Sequence, residues 1–333
     1  MKENMERPGI PSEYDQRMLY IYQNQIQDET LTINDDQQLK SLDFIKMLNI
    51  NKLVLNECYN VIPKLESKTI TQLEITDCEI KSLKKLQLEN LEYLGLYNDE
   101  IEQSKTLVQE IVKFQKLKEL HLYQWIIRLN PLIQLQNLTV LGLNDCQICS
   151  TEALRPLVNL VELEMFGNKD IDITQLQYLT KLTYLSLPSC NLVNLDALQA
   201  LVKLERLDIY NNKIIYIQHL LELQFLSYLY AENNMIQDIT CIERHLNFKS
   251  FSLNKQKKPT QKELEEAKIM KDIQNQISIL RLMLQQYKKF KLQTQNFRNI
   301  VNLHLQKQIN NHLQQVTQVM SLFQMMNEFE NCQ

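Results

Sequence analysis

Few side chains in this sequence are typed and spaced for chemistry. Cys146 and Cys149 form a C-x-x-C pair, the spacing of half a zinc site or of a redox dithiol. A structural zinc needs four ligands, and no second such pair occurs in the chain. His121, between Glu119 and Tyr123, could move a proton, but no serine or cysteine nucleophile is spaced to meet it. H-E-x-x-H, G-x-S-x-G and G-x-x-x-x-G-K motifs are all absent. Only 4 glycines occur in 333 residues, where an average chain has about 7%, which argues against the glycine-rich phosphate turns of nucleotide-binding folds. The chemistry therefore points to a non-enzymatic protein without metal or cofactor, and function is to be sought in binding.

What positions these residues is a repeat. The pattern L-x-x-L-x-L-x-x-(N/C/D) recurs with first positions Ile50, Ile70, Leu91, Leu117, Leu138, Leu160, Leu182, Leu204, Leu226 and Phe248. The fourth slots run from Leu53 to Phe251 and the sixth from Leu55 to Leu253, and all thirty slots are apolar in a chain that is 44% apolar. A weaker copy precedes them, with Leu31 and Ile33 in the fourth and sixth slots and Asp36 in the ninth. Slots four and six point to one side of a short strand, so stacking the strands in parallel buries these residues between neighbours. A buried leucine contributes roughly 1.5 to 3 kcal/mol only when the next repeat covers it, so no repeat is stable alone.

This pattern resembles the leucine-rich repeat superfamily, in its short class of about 22 residues, which includes the leucine-rich regulatory subunit of protein phosphatase 1. The resemblance, which covers 28–259, implies an α/β solenoid of about eleven repeats, a horseshoe with a parallel concave sheet; the flanking residues are expected to add an N-terminal helical cap over 1–27 and a helical extension over 260–333. It also implies protein binding, with a phosphatase catalytic subunit as one ligand. Some bacterial leucine-rich proteins end in a helical ubiquitin ligase domain with a C-x-D motif, and 260–333 contains none.

The ninth slot must satisfy backbone groups where the chain leaves the strand. Asn168, Asn212 and Asn234 can do so, and Cys58, Cys78, Cys146 and Cys190 offer a small side chain with a weak donor. Trp125 occupies this slot after the one 26-residue repeat, where an indole is not expected to fit an inward ladder; a local distortion is predicted. Leu107, Ile111 and Phe114 recur at helical spacing, so the arc of that longer repeat is predicted to be a true helix.

At the ends, Met18, Ile21, Tyr22, Gln25 and Ile26 follow Pro11 and Ser12 at the spacing of one amphipathic capping helix. Residues 260–333 lack glycine and proline and open with Thr260 and Glu263 as a capping box. Ile273, Ile277, Leu280, Leu284 and Tyr287 form one stripe, and Ile309, Leu313, Val316, Met320 and Phe323 another, so a helical hairpin or coiled coil broken near Gln293 to Asn296 is expected, with self-association as an outcome of the same stripes. Charge divides at this boundary: 27 basic and 34 acidic side chains before residue 260, 9 and 6 after it. The basic stretch ILRLMLQQYKKFK, Ile279 to Lys291, could meet an anionic membrane or nucleic acid, but packing on its partner helix is the favoured reading. The opening residues lack the apolar core of a secretory signal, no run of about 18 apolar residues follows, and the seven cysteines read as free thiols, which together suggest a soluble cytoplasmic protein.

Slots three, five and seven of each strand face the concave side. Among the 27 such positions of repeats two to ten, eight are aromatic (Tyr93, Tyr97, Tyr123, Phe166, Tyr184, Tyr210, Tyr228, Tyr230) where the chain average of 8% gives about two. Six are acidic (Glu74, Glu119, Glu162, Glu164, Asp208, Glu232), and Lys52 and Arg206 are the only full cations. Tyrosine buries large area at low entropic cost, and a one-signed face steers an oppositely charged partner. Partner binding is therefore assigned to this face, His121 and Arg206 included and Glu74 and Lys52 left aside. The expected ligand is a basic protein surface and not a small molecule.

Overall fold

A computed structural model of the chain describes residues 12–35, 41–58, 64–78, 80, 82–103, 106–240 and 249–265, together with Ile269 and Met283. The chain divides into two compact units, Met1–Lys257 and Lys258–Gln333.

In the first unit the apolar slots become strands. The strands are β1 (Thr30–Asn34), β2 (Lys52–Asn56), β3 (Leu65–Ser67), β4 (Gln72–Thr76), β5 (Leu86–Leu88), β6 (Tyr93–Gln103), β7 (Glu119–Ile126), β8 (Val140–Asn144), β9 (Glu162–Glu164), β10 (Tyr184–Ser186), β11 (Arg206–Asp208), β12 (Tyr228–Tyr230) and β13 (Ser250–Ser252). All but β3 and β5 form one parallel sheet in chain order. The register matches slot to slot, as in Leu185 with Leu163 and Leu207. From the second repeat to the tenth, every first, fourth and sixth slot is at most 1% exposed. Phe251 departs from this at 53% exposure: it lies on the terminal strand of the sheet, and among the described residues no further strand pairs beyond it. The opposite side is built from short 3-10 turns such as Thr174–Tyr178 and Asp196–Ala200, and β3 with β5 forms a small second sheet in two of the early arcs. Asp36 and Phe248 lie outside the described residues.

The ninth slot works as a ladder. Asn168 Nδ2 donates to the carbonyls of Leu143 at 2.6 Å and Met165 at 2.9 Å, while its Oδ1 accepts from the Cys146 and Ile148 N–H groups. Asn212 and Asn234 repeat the arrangement. Cysteines do it with one thiol: Cys190 Sγ donates to the Met165 and Pro188 carbonyls. Gln256, which the pattern did not include, continues the ladder by bonding Ala231, Leu253 and Ile236. Burial pushes the Cys146 and Cys190 thiols up to about 12, so neither is a nucleophile at neutral pH. Cys149 is exposed, so the C-x-x-C pair does not turn two thiols to one side. Iodoacetamide on the native chain is expected to label Cys149 and spare Cys58, Cys78, Cys146 and Cys190; peptide mapping that finds Cys146 labelled as fast as Cys149 contradicts the ladder.

The turn out of each strand is set one residue earlier. Asp35, Glu57, Asp77, Gln124, Asp145, Gly167, Ser189, Asn211, Asn233 and Lys255, all eighth slots, have positive φ. Most of their N–H groups donate to the seventh-slot carbonyl of the next repeat, as Asp145 does to Phe166 at 2.7 Å. Asp, Asn and Gly tolerate this left-handed conformation best, which explains the prevalence of those types here.

Trp125 overturns one expectation and meets another. The indole is inside the ladder and fully buried, so it does fit. The distortion falls on the neighbouring strand: β6 pairs regularly with β7 through Tyr97 and then shifts register, so that Glu102 pairs with Trp125. With the Asn98 amide turned so that its oxygen faces the indole, Trp125 Nε1 donates to it at 3.1 Å. The longer repeat carries the predicted helix, α2 (Leu107–Ile111), with Leu107, Ile111 and the following Phe114 buried.

The N-terminal helix precedes this one and spans Glu13–Tyr22, capped by Ser12, whose Oγ accepts from Asp15 N at 3.1 Å. Met18 and Tyr22 are buried, and Tyr22 stacks on Phe44 at 5.6 Å. The predicted stripe is corrected at two points. Ile21 is 40% exposed, and the helix stops before Gln25 and Ile26, which follow in a 3-10 turn and an extended residue. Ser12→Ala is expected to lower stability by about 1 kcal/mol, read from the urea midpoint.

In the second unit, residues 261–265 are helical and the capping box forms: Glu263 Oε2 accepts from Thr260 N at 2.8 Å, and Thr260 Oγ1 accepts from Glu263 N at 3.2 Å. The two apolar stripes, the break near Gln293 and the basic stretch Ile279 to Lys291 lie outside the described residues, apart from Met283. Among the described residues, no helix is long and apolar enough to cross a membrane.

Candidate protein-binding face

Strand register sorts the concave side chains into three rows. Slot three carries Lys52, Gln72, Tyr93, Glu119, Val140, Glu162, Tyr184, Arg206 and Tyr228. Slot five carries Glu74, Gly95, His121, Gly142, Glu164, Ser186, Asp208 and Tyr230. Slot seven adds Tyr97, Tyr123 and Asn144 within the strands; Phe166, Tyr210 and Glu232 follow where the strands are shorter. Rows on a hydrogen-bonded sheet are ordered before any ligand arrives, which lowers the entropic cost of binding.

The rows gather into two clusters. In the first, the hydroxyls of Tyr93 and Tyr97 meet at 3.0 Å, the His121 ring lies 5.7 Å from Tyr93, and His121 Nε2 pairs with Glu119 Oε1 at 2.7 Å. Two glycines make this possible: a methyl on Gly95 would fall 2.6 Å from the Tyr97 ring, and one on Gly142 would fall 2.5 Å from His121 Nδ1. Burial pushes the Tyr93 and Tyr97 phenols above their ordinary value, reinforced by the charges of Glu74 and Glu119.

In the second cluster, the Arg206 guanidinium forks onto Asp208, Nε to Oδ1 at 3.2 Å and Nη2 to Oδ2 at 2.9 Å. Tyr184 donates its hydroxyl to the same carboxylate at 3.2 Å, and burial pushes that phenol up to about 12. Beside it, Tyr210, Tyr230, Glu232 and Lys255 line a hollow of about 520 Å³. Glu162, Glu164 and Phe166 stand half-buried between the clusters, and Tyr123 and Tyr228 are half-buried within them.

Pairing divides the carboxylates by role. Asp208 is only 6% exposed and is engaged by Arg206 and Tyr184, so it orients the guanidinium at the edge of the hollow, which Asp208 and Arg206 also line. Glu74 is paired with Lys52 at 3.3 Å, while Glu164 accepts a long 3.5 Å bond from Asn144. Lys52, Gly95, Gly142 and Lys255 shape the face although the pattern of aromatic and acidic residues did not mark them. The glycines had a readable signal: they flank His121 in one slot of consecutive strands. Among the described residues, no group of three or more His, Cys, Asp or Glu side chains is gathered as metal ligands would be.

No family model matches the chain, and no curated protein matches it. Solved structures do. An internalin, InlF, from Listeria monocytogenes is similar at 20% identity and a TM-score of 0.52, over 73% of this chain and 84% of its own. Internalin C2 from the same organism is 24% identical, with a TM-score of 0.45, over 68% of this chain and 80% of its own. The in-register parallel sheet, the asparagine and cysteine ladder and the likeness to InlF together show that the chain folds as a leucine-rich repeat solenoid with an N-terminal helix.

Proposed function

We propose that the protein is a non-enzymatic interaction scaffold that binds a protein partner with a basic surface on its concave face. The observation that supports this best is the in-register placement of six aromatic side chains, Tyr93, Tyr97, Tyr123, Tyr184, Tyr228 and Tyr230, with Glu119, Glu162 and Glu164 on one ordered sheet, followed by Phe166, Tyr210 and Glu232 just past the ends of shorter strands. Aromatic anchors supply buried area, and the carboxylates around them favour an oppositely charged ligand.

Capture from cell lysate tests this reading. The intact chain is compared with a variant carrying Tyr97→Ala, Tyr123→Ala, Glu164→Ala and Tyr210→Ala, after circular dichroism shows that both fold equally. Proteins held by the intact chain and lost from the variant are the expected result. An unchanged set of bound proteins places the site elsewhere on the molecule.

A further inference from the structure

One of the two aromatic clusters is already filled by the chain itself. The Arg206 guanidinium lies 5.0 Å from the Tyr184 ring centroid and 5.1 Å from that of Tyr230, while forking onto Asp208. Two tyrosine rings and a carboxylate thus hold one cation on this sheet.

Among the described residues, the other cluster has the same kinds of groups and no guanidinium. Tyr93 and Tyr97 bend toward each other across Gly95 until their hydroxyls meet, and both side chains are half-buried. Strand register places Glu74 beside Gly95 and Glu119 beside Tyr93, and after burial the charges of Glu74, Glu119 and Glu164 push the Tyr97 phenol upward. Lys52 offsets one of these, pairing with Glu74 and reaching to 5.9 Å from the Tyr93 ring centroid. A cation therefore already sits at the rim, and Glu119 is held by His121 Nε2 through one oxygen at 2.7 Å, which leaves its second oxygen and Glu164 to face an incoming cation.

We propose that the Tyr93 and Tyr97 platform, with Glu119 and Glu164, is a receptor for an arginine side chain on a basic segment of the partner. The inference rests on the concave face being the partner-binding surface. Arginine fits better than lysine because a planar guanidinium can stack on a ring while its N–H fork meets a carboxylate, as Arg206 does.

The probe is a short fluorescein-labelled peptide of alternating glycine and arginine, titrated into the intact chain and followed by anisotropy at constant ionic strength. Its control replaces arginine with citrulline, which is neutral and nearly isosteric. Tyr97→Leu and the pair Glu119→Gln with Glu164→Gln are each expected to weaken binding about tenfold. Tyr97→Phe, which keeps the ring, should retain more affinity than Tyr97→Leu, and Glu222→Gln, which removes an exposed charge on the Gln218–Glu222 3-10 turn of the opposite side, should stay within about twofold. The citrulline peptide should not bind. Absence of arginine-peptide binding, equal binding of citrulline, or a Glu222→Gln loss as large as the double variant's would overturn the proposal; so would wild-type affinity in Tyr97→Leu. Circular dichroism confirms that each variant folds. The titration reads this platform alone, so its failure leaves the lysate capture by the whole face standing, and an unchanged capture leaves the titration standing.

Discussion

Asn168→Ala is expected to cost at least about 4 kcal/mol of stability, because it strips the partner from four buried backbone groups at about 1 to 3 kcal/mol each. Asn168 is fully buried and serves the carbonyls of Leu143 and Met165 and the N–H groups of Cys146 and Ile148. Alanine leaves all four facing an apolar interior with no room for bulk water. The neighbouring repeats supply a finer test, since cysteine occupies the same slot at Cys146 and Cys190 and bonds two carbonyls through its thiol. Asn168→Cys is therefore expected to cost clearly less than Asn168→Ala in urea denaturation. Equal losses would mean that the slot is governed by volume and not by hydrogen bonding.

The repeat was legible in the sequence because each apolar slot has one solution: Leu163 or Leu185 can be buried only if the strands run in parallel at matched register. The ladder was legible for the same reason, as an asparagine at a fixed offset from buried leucines has little to bond except backbone. The eighth slot was readable too, through Asp35, Asp77, Asp145, Gly167, Asn211 and Asn233, but the consensus passes over it as variable. Legibility stopped where side chains choose among neighbours. Nothing in the spacing of Arg206 and Asp208, two residues apart, states that the carboxylate is spent on that guanidinium, nor that Glu74 answers Lys52 from the adjacent strand. Ile21 illustrates the same limit at the cap: its spacing suits the buried stripe, but the direction of the helix relative to the first repeat decides which of Met18, Ile21 and Tyr22 goes inward. The concave face could thus be listed from the sequence, while its division into a filled and an open cluster needed the geometry.

Trp125→Ala is expected to destabilise by about 3 to 5 kcal/mol, the usual cost of emptying a large aromatic site in a packed core. The indole is fully buried and carries a polar contact, Nε1 to the Asn98 amide oxygen, so removing it opens a cavity and unpairs a buried acceptor together. Trp125→Phe keeps most of the volume and should lose only about 1 to 2 kcal/mol, from the missing hydrogen bond and a smaller void. The informative variant is Trp125→Asn, which restores the residue that the ladder uses at Asn168, Asn212 and Asn234. Were the tryptophan merely an intruder in a regular ladder, asparagine would be neutral or stabilising. The shifted register of β6, which sets Glu102 opposite Trp125, implies the reverse: the preceding 26-residue repeat has opened the stack to the size of an indole. Asparagine at that position should then cost as much as alanine, and a urea midpoint at or above that of the intact chain would show that the distortion does not depend on Trp125.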